Sequence, residues 1–120
     1  GDSNAAVYCT KRVQLQNPAN AIHIFFDGFR AFDSSGTASE IKVFYKVQGP
    51  DSNLQFNEES WREATIKRSV PADASDFKEY EYEVESLEEF NTFSVKIVLQ
   101  SSNSSNPPLV ENFRAIALST

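Results

Sequence analysis

Strict alternation of apolar and polar side chains is the feature that most constrains this chain. In EIKVFYKVQ (40–48), Ile41, Val43, Tyr45 and Val47 fall on one side and Lys42, Phe44 and Lys46 on the other. A period of two belongs to a half-buried strand, because successive Cβ atoms point to opposite faces of a sheet. The period recurs in AIHIFFD (21–27), with Ile22, Ile24 and Phe26 opposite His23 and Phe25. It recurs in YEYEV (80–84), where Tyr80, Tyr82 and Val84 point inward, and in TFSVKIVLQ (92–100), where Phe93, Val95, Ile97 and Leu99 do. KRVQLQ (11–16) puts Val13 and Leu15 on one face, and WREATIK (61–67) reads as a weaker strand. VENFRAIAL (110–118) is apolar on both faces towards its end, which predicts a central strand.

Turn chemistry separates these segments. NPAN (17–20) reads as a short turn, and DSSG (33–36), GPDSN (49–53), VPADASD (70–76) and SSNSSNPP (101–108) read as loops. Helical spacing is almost absent; NEESWREA (57–64) or SLEEF (86–90) has room for one or two turns. Seven or so short strands with regular turns predict an all-β antiparallel sandwich or barrel. The 120 residues suit a single domain, 1–120, and no repeat or linker divides them. Ten phenylalanines, against one Trp and four Tyr, suit the space between packed sheets.

Charge narrows the partners. A net charge of −6 argues against nucleic acid and against an anionic membrane surface. It is compatible with neutral sugars, cations or protein partners. No apolar run approaches the roughly 20 residues of a membrane helix. Cys9 is the only cysteine, so no intrachain disulfide forms and the thiol is expected to be free. The start GDSNAA is small and polar, unlike a signal peptide. With no methionine present, Gly1 is expected to mark a domain cut from a longer chain.

FKEYEYEVE (77–85) places Glu79, Glu81, Glu83 and Glu85 at every second position. In a strand, such neighbours lie on one face roughly 6.5–7 Å apart. That spacing does not forbid glycosidase-like chemistry, which uses carboxyl pairs about 5–9.5 Å apart. Acid–base work also needs one carboxyl made different by a dry surrounding. A row along one exposed face is uniformly wet, so the expected role is a solvated face. Its expected counterparts are Lys42, Lys46 or Lys96 on neighbouring strands. Such a row would also deter edge-to-edge association.

Other candidates each have a plain alternative. His23 is the only histidine; with one distant Cys, no zinc set is expected and a hydrogen-bonded structural role is. No G-x-S-x-G surrounds any serine, so no catalytic residue is assigned. The stretch 27–36 holds Asp27, Arg30 and Asp33, an oxygen-rich loop that could contact a ligand or calcium but lacks EF-hand spacing. Trp61 is either a packing residue or a sugar-stacking platform. Asp27, Arg30, Asp33 and Trp61 are the ligand-contact candidates; no cofactor is implied beyond that calcium.

Four motifs carry a resemblance. FKEYEYxV, FxxFxxKIV and NPPxxxxFRAIAL cover about the C-terminal 45 residues, and IKVxYKV followed by a Trp covers the middle. Together, over about residues 13–118, they resemble a domain of virion structural proteins from contractile-tailed phages, especially those of marine cyanobacteria. The order of features also resembles a galactose-binding-like (discoidin-type) jelly roll: VFYKVQGPDSN, then Trp61, then a last strand after a proline pair. The resemblance implies a non-enzymatic tail, baseplate or fibre module, located in the virion. Other virion proteins would be its partners, and a homo-oligomer would be ordinary. The alternative it implies is a carbohydrate-binding module for cell-surface glycans, with calcium held by loops at one end. No ligand residue of that family maps onto this sequence, so sugar binding is an analogy of fold.

Overall fold

A computed structural model describes residues 6–29, 40–67, 77–100 and 109–120. Within them lie eight strands: β1 (Ala6–Cys9), β2 (Val13–Ala19), β3 (Ala21–Phe29), β4 (Glu40–Gln48), β5 (Arg62–Glu63), β6 (Lys78–Val84), β7 (Phe90–Gln100) and β8 (Leu109–Leu118). One turn of 3-10 helix, Phe56–Glu58, precedes β5. The strands form two antiparallel sheets. In the first, β7 lies between β4 on one side and β1 and β2 on the other, and β5 flanks β4. In the second, β3 is flanked by β6 and β8. The chain is therefore an all-β sandwich of five strands against three. It changes sheet between β2 and β3, β3 and β4, β5 and β6, β6 and β7, and β7 and β8.

The core follows the alternation. Ile22, Ile24 and Phe26 of β3 are buried, as are Tyr80 and Tyr82 of β6. They meet Val43 and Tyr45 of β4 and Phe93, Val95, Ile97 and Leu99 of β7. Phe26 stacks on both tyrosines, with ring centroids 5.2 Å from Tyr80 and 5.8 Å from Tyr82. Near the end of β3 the backbone itself takes part in the packing. A Cβ on Gly28 would sit 2.7 Å from the Tyr80 ring and 3.2 Å from Ile41 of the opposite sheet, so only glycine fits. Of the described phenylalanines, Phe26, Phe90 and Phe93 are buried in this core. Phe25, Phe44 and Phe56 instead lie beneath cations, which corrects the expectation that these rings mainly fill the space between sheets.

Several expectations need correction. NPAN does not make the turn: Asn17, Pro18 and Ala19 complete β2, and Asn20 alone turns the corner into β3. The Pro18 ring is tolerated because β2 pairs irregularly, with a register shift between Gln14 and Ala19. Asn20 holds the corner by accepting from Thr120 N at 2.9 Å through its side chain, while its own backbone N–H donates to Leu118 O at 2.9 Å. β8 is a flanking strand among those described, not a central one; β3 and β7 are central. The 86–90 stretch forms no helix, and Phe90 opens β7.

Thr10 pins the short link between β1 and β2 onto β7. Its hydroxyl accepts from Val95 N at 2.9 Å, and its carbonyl accepts from Ser94 Oγ at 2.9 Å. Thr10→Val would leave the Val95 N–H without that partner. The expected loss is about 1–2 kcal/mol in urea unfolding; an unchanged midpoint would show that the pin is dispensable.

Candidate functional site

The outward face of the three-stranded sheet carries the glutamate row. β6 pairs with β3 so that Glu83 lies opposite His23, Glu81 opposite Phe25 and Glu79 opposite Asp27. The expected partners were Lys42, Lys46 or Lys96, but β4 and β7 belong to the other sheet. The cation is Lys67, which follows β5. Its Nζ lies 2.8 Å from Glu83 Oε1 and 3.5 Å from Glu81 Oε2. The backbone explains how it gets there. Ala64 N donates to Val43 O of the five-stranded sheet, while Lys67 N donates to Glu81 O of the three-stranded sheet. Residues 64–67 thus bridge from the β4 edge to the β6 edge, and Ile66 pairs with Tyr82 across that gap.

This strap makes the row unequal. The Glu81 and Glu83 side chains are 18% and 29% exposed, against 52% for Glu85. The expectation of a uniformly wet row therefore holds only at its ends. The hydrogen bond from Lys67 holds the Glu83 carboxyl below the usual carboxylate range. In return, that hydrogen bond and the charge of Glu81 hold Lys67 above the usual lysine range. A depressed carboxyl gives stability that is present above its unfolded value and lost as acid titrates the folded group. Lys67→Met should thus raise the Glu83 midpoint towards an ordinary glutamate in an NMR pH titration. A midpoint that stays put would mean the pair does not form in solution.

At the end of the row, His23 Nε2 lies 3.3 Å from Glu85 Oε1. One donor atom each from His23, Glu83 and Glu85 falls within 4.8 Å of the others. Sequence reading missed this set because it weighed His23 only against cysteine and a second histidine. The signal was the alternation: it put His23 on the outward side of its strand, as it put the glutamates on theirs.

Asp27 sits farther along the same face. It accepts a 2.8 Å hydrogen bond from Asn112 Nδ2. Asn112 has φ of 57° and lies where β8 shifts register against β3 between Phe25 and Asp27. Asparagine tolerates that left-handed backbone, and Asp27 anchors the resulting bulge. Arg30 and Asp33 lie outside the described residues, as does most of the 27–36 loop. The loops 70–76 and 101–108 lie outside them too.

Trp61 is on the opposite outer face, over the five-stranded sheet. Lys46 Nζ and Lys96 Nζ each lie 4.6 Å from its ring centroid. Lys46 also sits 5.0 Å from the Phe56 ring and donates to Phe56 O at 3.4 Å. Lys96 sits 5.1 Å from the Phe44 ring. Residues 50–61 thus fold across this face and bury Lys46 to 7% exposure, although its place in the alternation faces outward. Cation–π contact is what holds both ammonium groups there. The segment is braced by Gln55 N donating to Glu58 Oε1 at 2.8 Å and by Ser52 Oγ donating to Glu59 Oε1 at 3.1 Å.

Asp27 and Trp61 therefore do not share a site. At one end of the sandwich, a groove of about 890 Å³ opens between residues 49–52 and 86–89. Arg62, Asp51, Glu59 and Glu88 line it. Among the described residues no helix is long and apolar enough to cross a membrane. Comparison with known proteins finds no match to a family model, a curated protein or a solved structure.

Proposed function

We propose that this domain is a non-enzymatic structural or interaction module of a phage virion, in the tail, baseplate or fibre. The observation that carries the non-enzymatic reading is the state of the glutamate row. Its displaced member, Glu83, is pushed down by Lys67, whereas a general acid needs a carboxyl pushed up. The row is engaged in ion pairs on a sheet face.

The virion reading rests on the resemblance of FKEYEYEV, FNTFSVKIV and NPPLVENFRAIAL. These motifs largely coincide with β6, β7 and β8, and they supply Tyr80, Tyr82, Phe93 and Ile97 to the core. The likeness is therefore to a framework rather than to a set of ligand residues. A sandwich that holds together without disulfides suits a rigid module within an assembly.

A second reading is a carbohydrate-binding module. The five-on-three sandwich and its repeated sheet crossings agree with the jelly-roll likeness, and the end groove near Arg62 is where such a module would hold a sugar. A glycan array on the purified domain, with and without calcium, separates the two. The virion-module reading expects no selective glycan and a melting temperature unmoved by calcium. Selective binding that disappears with Arg62→Ala would replace it with the carbohydrate reading.

A further inference from the structure

We infer that His23, Glu83 and Glu85 form a binding site for one divalent transition-metal ion of the zinc class. His23 and Glu83 face each other in the β3–β6 ladder, and Glu85 follows directly on the last β6 residue, Val84, so the backbone brings all three to one corner. His23 Nε2 and Glu85 Oε1 stand 3.3 Å apart. Two ligands about 2.0–2.2 Å from a tetrahedral zinc ion are separated by about 3.3–3.5 Å, so this pair already spans one edge of the coordination shell. Glu83 is within 4.8 Å of both and reaches the ion by a side-chain rotation. Phe25 packs edge-on against the His23 ring, with centroids 6.5 Å apart, and limits its swing.

Ligand chemistry selects the ion. An imidazole nitrogen beside two carboxylates suits zinc, cobalt or nickel, whereas calcium and magnesium take oxygen shells. Charge favours occupancy as well. Glu81, Glu83 and Glu85 bring three negative charges to this corner and Lys67 returns one. A dication takes up the difference. Lys67 is also the built-in competitor, since its ammonium lies 2.8 Å from Glu83 Oε1.

His23 is the only histidine, so its imidazole signals in a proton NMR spectrum are unambiguous. The untagged chain is titrated with zinc chloride and followed by those signals and by calorimetry. The signals should shift and saturate at one equivalent. His23→Gln and Glu85→Gln should each weaken binding at least tenfold, and Lys67→Met should strengthen it several-fold. Cys9→Ser, which removes the exposed thiol, should change nothing. Circular dichroism checks each fold, and the unmutated chain's own imidazole shift decides the matter should a variant unfold. Imidazole signals that zinc leaves in place would overturn the assignment. So would an equal response to magnesium chloride, or loss of binding with Cys9→Ser.

Discussion

Phe26→Ala is expected to lower the unfolding free energy by about 3–5 kcal/mol, the range for truncating a buried phenylalanine. Phe26 is 1% exposed at the middle of β3, the central strand of its sheet. It touches Tyr80 and Tyr82 face to face, so the alanine would leave a cavity bounded by two rigid rings. Rings on a paired strand cannot collapse inward without breaking the β3–β6 register, so little of the lost volume would be refilled. Urea unfolding followed by tyrosine fluorescence measures it. A loss below about 1 kcal/mol would mean that the sheets are not packed through this ring.

Trp61→Ala is expected to cost about 2–3 kcal/mol, less than a fully buried tryptophan because Trp61 is half-exposed. Two contacts go at once, from Lys46 and from Lys96. Lys46 suffers more: it is buried, and Trp61 is one of the two rings that offset its desolvation. A distinctive companion result follows. Lys46→Met in the Trp61→Ala background should recover part of the loss, because the buried charge is then gone. Additive losses in the double variant would show that the ammonium does not depend on the ring.

The inward faces of β3, β4, β6 and β7 were legible because burial follows the two-residue period wherever one face meets the core. Ile22, Ile24, Phe26, Val43, Tyr45, Val95 and Ile97 all lie where the alternation places them. Sheet membership was not legible. Periodicity says which side of a strand is inside, whereas partners are chosen by contacts such as Thr10 with Ser94, 84 residues apart. The lysines on β4 and β7 were for that reason assigned to the wrong sheet, and Lys67 was overlooked as the partner of the glutamates. Lys46 shows a further limit. Its outward position is read correctly, yet residues 50–61 fold back over that face and bury it. β8 misled because Ala115, Ile116, Ala117 and Leu118 run apolar together; Ile116 in fact stands 48% exposed on the outer face beside His23.

Of the ligand-contact candidates, Asp27 and Trp61 each have an internal use. Asp27 holds a bulge and Trp61 holds two lysines. The His23 corner went unread because its three donors come from segments about 60 residues apart in sequence, joined only by the β3–β6 register.

The proposal that this domain is a virion module is tested most directly by immunogold electron microscopy of particles purified from a culture whose DNA encodes this sequence, using antibody raised against the folded domain. Label concentrated on the tail, baseplate or fibres is the expected result. Particles that carry no label, with the protein recovered from the lysate supernatant instead, would contradict a virion module.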